Sequence, residues 1–330
     1  GDMDGSAVAI DPSTGEILGM VSLPGYDPNL FVNGISHTDY RALMDDPSRP
    51  LFNRNVLGGG PPGSTVKPMV ALAGLDSGLR TPEDKVFSTG EFFIPGQRRG
   101  YRDAHGGAGA TDLRKSIAAS VNYYYYKLAY EMGIERFDQY MRKYGFGERS
   151  GIDLAGENPG VVPSPQWKAK NSRERWYPGE TVIAGIGQGY WIATALQLAR
   201  ATAAIANGGD LRRPHLVAQR RDGFEAPWSA LPQPKPTRIT DNAAHLRAVQ
   251  EGLTNAVKHS QAQNLWVVLR REDQALRLDI RDDGRGSGEV RAGNGLCGMR
   301  ERLEALGGGL SVGRTGTGGV HLQAWLPVAA

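Results

Sequence analysis

Ser64 and Lys67 stand three residues apart in the string Pro61-Pro62-Gly63-Ser64-Thr65-Val66-Lys67. Two prolines and a glycine bring the chain to a helix start, and the spacing returns Lys67 to the face of Ser64 one turn later. A serine hydroxyl attacks a carbonyl only when a base takes its proton. A lysine can serve as that base when desolvation or nearby positive charge lowers its pKa. The start of the helix would add N–H donors and positive potential for a developing oxyanion. Taken alone, the pair also fits an N-capping serine followed by an exposed lysine. A second polar pair, Ser120 and Asn122, stands downstream, just before the four tyrosines Tyr123 to Tyr126. A tyrosine stripe on a helix reads mostly as packing.

These residues need elements to hold them. Ser6 to Ile10 and Ile17 to Ser22 are apolar runs joined by Asp11-Pro12-Ser13-Thr14-Gly15, which predicts an antiparallel hairpin. Helices are predicted from Ser64 to Ser77, from Asp112 to Met132 and from Thr194 to Asn207, each stopped by a glycine: Gly78, Gly133 and Gly208. The second carries Ser120 and Asn122 in its interior. Pro227, Pro232, Pro234 and Pro236 mark an extended connector. From Ala243 the texture changes to a helix, two strands (Asn264 to Arg270 and Ala275 to Arg281), a glycine-rich loop, a further helix and a closing hairpin. The chain is expected to divide near residue 245.

Composition narrows the class. At 330 residues with 40% hydrophobic and 22% charged residues, the chain is expected to be globular and soluble. Lys+Arg 38 against Asp+Glu 35 leaves +3, too little to argue for nucleic acid by electrostatics. The single cysteine, Cys297, excludes an internal disulfide and a multi-cysteine metal site. No apolar run reaches the roughly 18 residues of a membrane helix. The opening GDMDGSAVAI has neither the basic region nor the apolar core of a signal peptide, and reads as the inside of a longer parent.

S-x-x-K followed by S-x-N forms the first two-thirds of the signature of the penicillin-recognising serine enzymes. Further strings make the likeness specific: Asp11-Pro12-x-x-Gly15-x-Ile17-Leu18, Tyr26-Asp27-Pro28-Asn29, Arg49-Pro50-Leu51-Phe52-Asn53-Arg54, Gly151-Ile152-Asp153-Leu154, Trp176-Tyr177-Pro178-Gly179-Glu180 and Gly185-Ile186-Gly187-Gln188-Gly189-Tyr190-Trp191. Residues 1–250 resemble the penicillin-binding protein 2 family, the class B peptidoglycan D,D-transpeptidases of bacterial elongation. The resemblance implies that Ser64 is acylated by the D-Ala-D-Ala end of a stem peptide, with Lys67 as its base. Ser120 would relay the proton to the leaving group, and Asn122 would hold Lys67 and the substrate amide. β-Lactams would stall as acyl-enzymes. The family's membrane anchor and N-terminal pedestal have no counterpart here, as in an excised transpeptidase domain.

One element of that family is missing. The Lys-Thr-Gly edge strand, which docks the substrate carboxylate and completes the oxyanion hole, occurs nowhere in the chain. Instead, Glu251-x-x-x-Asn255-x-x-Lys258-His259, Asp282-Asp283-Gly284-Arg285-Gly286 and Gly293-Asn294-Gly295-Leu296-Cys297-Gly298-Met299 follow in order. They resemble the N box and the two glycine boxes of the sensor histidine kinase ATPase domain, of the GHKL or Bergerat class. That resemblance covers residues 246–330. It implies ATP with Mg²⁺ as cofactors, Asn255 holding the metal between phosphates and Asp282 accepting from adenine. Gly284, Gly286, Gly293, Gly295 and Gly298 would bring backbone N–H groups over the phosphates. The phosphoacceptor helix pair is lacking and His259 belongs to the N box, so phosphotransfer is not expected. Arg314-Thr315-Gly316-Thr317 is the one string that could replace Lys-Thr-Gly, although the ATPase family places that segment in its closing hairpin.

The fold class expected is therefore α/β. An incomplete transpeptidase fold with a helical subdomain would occupy residues 1–245, and an α/β sandwich with helices on one face of a mixed sheet residues 246–330. Helix Ala248 to Leu253 fits both families, so the changeover falls there. Three functions follow from this: a penicillin-binding acyl transferase impaired by loss of its Lys-Thr-Gly strand, an ATP-binding module, or an inactive chimera of the two. Expected partners are stem peptides, β-lactams and, in the parent family, elongation-complex proteins; neither nucleic acid nor a membrane span is expected. The transpeptidase parent works on the periplasmic face of the inner membrane, the ATPase parent in the cytoplasm.

Overall fold

Alternating apolar residues around an Asp-Pro turn produce the first hairpin. In the computed structural model, which describes residues 5–103, 106–258, 265–272, 275–282, 300, 304, 307–314 and 320–327, β1 (Gly5–Ile10) pairs antiparallel with β2 (Ile17–Leu23). The turn closes by Gly15 N–H donating to Asp11 O, with Gly15 at φ 88°. The chain forms two units that part between Leu253 and Thr254.

In the larger unit, α1 (His37–Asp45) is capped by Ser36 and lies at the surface. A 3-10 turn, Gly63–Val66, then leads directly into α2 (Lys67–Asp76). Every residue from Met69 to Leu75 is buried. A helix that is apolar all round belongs inside a core. Four short strands follow, β3 (Val86–Ser88), β4 (Glu91–Phe92), β5 (Tyr101–Arg102) and β6 (Gly109–Thr111), with β3 paired to β6 and β4 to β5. Next come α3 (Leu113–Ala118), α4 (Asn122–Met132), α5 (Ile134–Lys143), α6 (Pro165–Asn171), α7 (Pro178–Ala184) and α8 (Ala195–Ala206). Gly74 on α2 lies so close to α4 that a Cβ would stand 2.8 Å from Leu128, and a Cβ on Gly185, just after α7, would stand 2.6 Å from Tyr125 O. Trp191 sits edge-on between Phe137 and Phe146. This core fixes α2, α4 and α7 against one another.

The uninterrupted helix expected over Asp112 to Met132 is two helices. The break spans Ala119–Val121, and Ser120 takes a left-handed conformation at φ 51°. Such a conformation persists in a non-glycine residue only where its surroundings hold it, and here the side chain of Lys67 does so. The helix expected from Ser64 begins as a 3-10 turn. α8 begins and ends as expected, with Thr194 and Gln197 forming a reciprocal capping box. Beyond it, β7 (Asp210–Leu211), β8 (Gln219–Arg220), β9 (Ser229–Ala230) and β10 (Thr237–Arg238) make only two-residue pairs, β7 with β10 and β8 with β9. The last element of the unit is the body of α9 (Ala243–Lys258), where Leu246, Ala248 and Val249 are buried.

The smaller unit holds β11 (Leu265–Glu272), β12 (Ala275–Asp282), β13 (Gly309–Arg314) and β14 (Val320–Pro327), ordered β11-β12-β14-β13. The mixed sheet expected here is not found, because every described pairing is antiparallel. β12 and β13 do run in the same direction, but the closing hairpin inserts β14 between them, so they never bond. The helix expected before that hairpin falls largely outside the described residues. Among the described residues, no helix is long and apolar enough to cross a membrane.

Candidate active site

Ser64 lies on the 3-10 turn and is exposed, while Val66 and Lys67 behind it are buried. The turn is held from both sides. Gly63 takes φ 59°, and its N–H donates to Gly187 O at 2.9 Å. Thr65 Oγ1 donates to Pro62 O at 2.7 Å. Gly187 itself is at φ 72°, and a Cβ there would lie 2.3 Å from Gly63 O. Only glycine lets the segment after α7 approach the serine turn this closely. α7 is in turn fixed by a capping box in which Tyr177 N–H donates to Glu180, and Glu180 accepts from the buried Lys168 ammonium. Gly187 and Lys168 were not singled out as functional in the sequence; the only signal was the glycine spacing Gly185-Ile186-Gly187-Gln188-Gly189.

Lys67 opens α2 with its side chain 2% exposed. Its Nζ donates to Ser120 O at 2.6 Å, Ser120 Oγ at 2.8 Å and Asn122 Oδ1 at 2.6 Å. The left-handed turn at Ser120 is what allows one residue to present both its carbonyl and its hydroxyl to the lysine. Asn122 reaches the same amine because it is the first residue of α4. The Tyr125 ring centre lies 5.3 Å from Nζ. Burial brings the Lys67 pKa down from 10.5 to about 8, opposed by the negative charge of Asp103. Asp103 is itself buried, and its Oδ2 accepts from Tyr123 N–H at 2.8 Å. No motif pointed to Asp103.

Lys67, Ser120 and Asn122 therefore form one cluster, with Ser64 one turn away. No hydrogen bond joins Lys67 to Ser64, because all three N–H groups of Lys67 point to Ser120 and Asn122; the Ser64 hydroxyl has no hydrogen bond among the described residues. Chemically, the arrangement is a buried amine whose pKa is brought down to about 8, held between a hydroxyl and an amide beside an exposed serine. A drop from 10.5 to about 8 raises the neutral fraction of an amine at pH 7 by roughly 300-fold. That suits proton transfer to and from a serine.

Of the residues singled out further on, Asn255 lies half-buried on α9, and Asp282 ends β12. Gly284, Gly286, Gly293, Gly295, Gly298 and His259 lie outside the described residues, as do Thr315, Gly316 and Thr317. Arg314 ends β13, opposite Val320 of β14. Among the described residues, no group of three or more His, Cys, Asp or Glu side chains could hold a metal ion.

Residues 5–269 match the model of the penicillin binding protein transpeptidase domain. Residues 240–330 match that of the histidine kinase-, DNA gyrase B- and HSP90-like ATPase. The two matches overlap over α9 and the start of β11. The peptidoglycan D,D-transpeptidase MrdA of Escherichia coli K12 is 44% identical over 225 residues, which are 68% of this chain and 36% of the relative. The chain thus spans about a third of the length of that curated relative. Among solved structures, Pseudomonas aeruginosa PBP2 in complex with WCK 5153 is 35% identical with a TM-score of 0.69, covering 98% of this chain and 69% of that one. Helicobacter pylori PBP2, solved in complex with MreC, is 25% identical with a TM-score of 0.70, covering 98% of this chain and 56% of that one.

Proposed function

The chain belongs to the penicillin-binding protein transpeptidase family, and on that premise we propose that it is a peptidoglycan D,D-transpeptidase unit working by acyl transfer through Ser64. The observation that carries this reading is the Lys67 amine, buried, brought to a pKa of about 8 and bonded to both Ser120 and Asn122. In the first step Lys67, once neutral, takes the Ser64 proton as Oγ attacks the carbonyl of a D-Ala-D-Ala end. The Ser64 ester forms, the peptide C–N bond breaks, and D-alanine leaves with a proton passed from Lys67 through the Ser120 hydroxyl. In the second step an amine of a neighbouring strand attacks the ester, the new peptide bond forms, and Ser64 regains its proton. Asn122 keeps Lys67 aimed at Ser120 in both steps. For Lys67 to reach Ser64 it must give up one of its three present bonds, which loss of one proton from the ammonium makes possible.

The substrate places this chemistry on the periplasmic face, and contact with an elongation partner of the MreC kind belongs to the same proposal, supported by the Helicobacter pylori complex. The lack of a Lys-Thr-Gly segment leaves the substrate carboxylate without its usual docking group, so acylation is slow. The test is intact-mass spectrometry after long incubation with penicillin. A slowly growing adduct that maps to Ser64 and is absent from Ser64→Ala is expected; no adduct at high penicillin excess sinks the proposal.

A second reading rests on the ATPase family match over residues 240–330. Asn255, half-buried on α9, would offer its amide oxygen to Mg²⁺ between nucleotide phosphates, and Asp282 at the end of β12 would accept from adenine. Weak, Mg²⁺-dependent binding of a fluorescent ATP analogue, reduced in Asn255→Ala, is the expected result.

A further inference from the structure

Beside α4, the loop between β4 and β5 roofs a cavity of about 1090 Å³. Tyr101, Tyr126 and Ile183 line it, and Arg98, Arg99 and Arg102 stand around it with Glu91 as the one carboxylate. Arg102 faces Glu91 at 3.5 Å. Arg98 and Arg99, both exposed, have no hydrogen bond or ion pair among the described residues. Guanidiniums left unpaired around a concave surface attract and orient carboxylates.

The aromatic lining is fixed in place. Tyr101 packs on Tyr126 with ring centres 5.8 Å apart, and Tyr126 Oη donates to Arg102 O. The Tyr101 hydroxyl is pressed against Gly179, where a Cβ would overlap it at 2.1 Å. Two flat rings with an isoleucine beside them suit the aliphatic parts of a short peptide.

The cavity shares its walls' elements with the serine site, although none of Ser64, Lys67, Ser120 and Asn122 lines it. Tyr126 lies one helical turn beyond Asn122 on the same face of α4, about 6 Å along the axis. Ile183 lies on α7, four residues before the Gly187 carbonyl that holds the serine turn. Arg102 precedes Asp103, whose charge acts on Lys67. The same two helices that wall the cavity thus also carry or support residues around Ser64.

We infer that this cavity is a subsite for a peptide arm bearing free carboxylates, its aliphatic parts on Tyr101 and Tyr126 and its carboxylates on Arg98 and Arg99. The inference rests on the acyl-transfer reading in that the arm would belong to a stem peptide whose end lies at Ser64. Nothing in that reading requires a separate anchoring site.

The test uses the full chain and the tripeptide Ala-Glu-Ala carrying an uncharged fluorophore, with free carboxylates in one form and both amidated in the other. Binding is followed by fluorescence anisotropy. The free-carboxylate form should bind about tenfold more tightly than the amidated one, as charge-assisted bonds do. Arg98→Ala with Arg99→Ala should abolish that preference, and Arg98→Lys with Arg99→Lys should keep part of it. Ser64→Ala should retain the preference in full. Equal binding of the two peptides, or a preference unchanged in the double alanine variant, overturns the inference. Penicillin labelling of Ser64 in the same samples keeps the two readings apart: labelling without a carboxylate preference sinks only the subsite, and a preference without labelling sinks only the acyl transfer.

Discussion

Lys67 is asked to be both donor and base, and its surroundings set the pH at which it changes role. Below pH 8 it is an ammonium serving Ser120 and Asn122; above that it has a lone pair for the Ser64 proton. Penicillin acylation should therefore rise about tenfold per pH unit up to pH 8 and then level off. A rate flat from pH 6 to 9 would remove Lys67 from the role of base. The stability consequence has a definite sign. The folded pKa is lowered, so between about 8 and 10.5 the unfolded chain binds more protons, and the Lys67 contribution to stability rises with pH across that window. Below pH 8 the burial cost of the ammonium is fully present. Asp103 works against the lowering, so Asp103→Asn should move the acylation midpoint below that of the parent chain while still accepting from Tyr123 N–H. A midpoint that rises instead would show that Asp103 acts through something other than its charge. The meeting of Lys67 with Ser120 and Asn122 was legible because S-x-x-K and S-x-N fix the spacing within each motif. Asp103 was not, since its proximity to Lys67 comes from the folding of the β5–α3 segment.

The elements that carry these residues were readable where backbone chemistry marks their ends. Gly78, Gly133 and Gly208 all take positive φ just where helices were expected to stop. The break at Ala119-Ser120-Val121 was hidden, since it contains neither glycine nor proline and its left-handed serine is held by bonds from a residue 53 positions away. Glycine matters more where two elements meet. An alanine at 187 would need φ 72° and would place its methyl 2.3 Å from Gly63 O. The serine turn has to shift to admit it. Gly187→Ala should cost at least about 2 kcal/mol in urea unfolding and reduce Ser64 labelling further than the loss of folded protein explains. Gly60→Ala, in the same loop system with nothing within 4 Å of the new methyl, should leave both unchanged. If the two variants behave alike, the Gly63–Gly187 contact does not hold the nucleophile.

At the scale of the whole chain, two family patterns meet inside one helix. α9 packs Leu246 and Val249 into the larger unit, and the units part at Leu253 and Thr254, within the stretch matched by both family models. Composition shift and motif order had put the division near residue 245, whereas the units part further along the same helix, after Leu253. Strand order was less visible, because hairpins and crossovers share the same alternation of apolar residues, and the four strands after α9 came out all antiparallel. That topology bears on the remaining candidate for a Lys-Thr-Gly substitute. Arg314 ends β13, an edge strand whose register runs from Gly309 opposite Trp325 to Arg314 opposite Val320, so its position is set by the closing hairpin of its own unit. Its guanidinium is also larger, flatter and differently hydrated than an ammonium, and does not simply replace a lysine that docks a carboxylate in a packed site. Arg314→Ala should therefore leave the rate of penicillin labelling at Ser64 unchanged within twofold, while Lys67→Ala abolishes it. Were Arg314 the docking group, its loss would remove a charge-assisted bond to the substrate carboxylate and slow labelling by about tenfold or more. A drop of that size with the fold intact would show that β13 serves the serine site and that the chain has rebuilt its missing strand from the second family's hairpin.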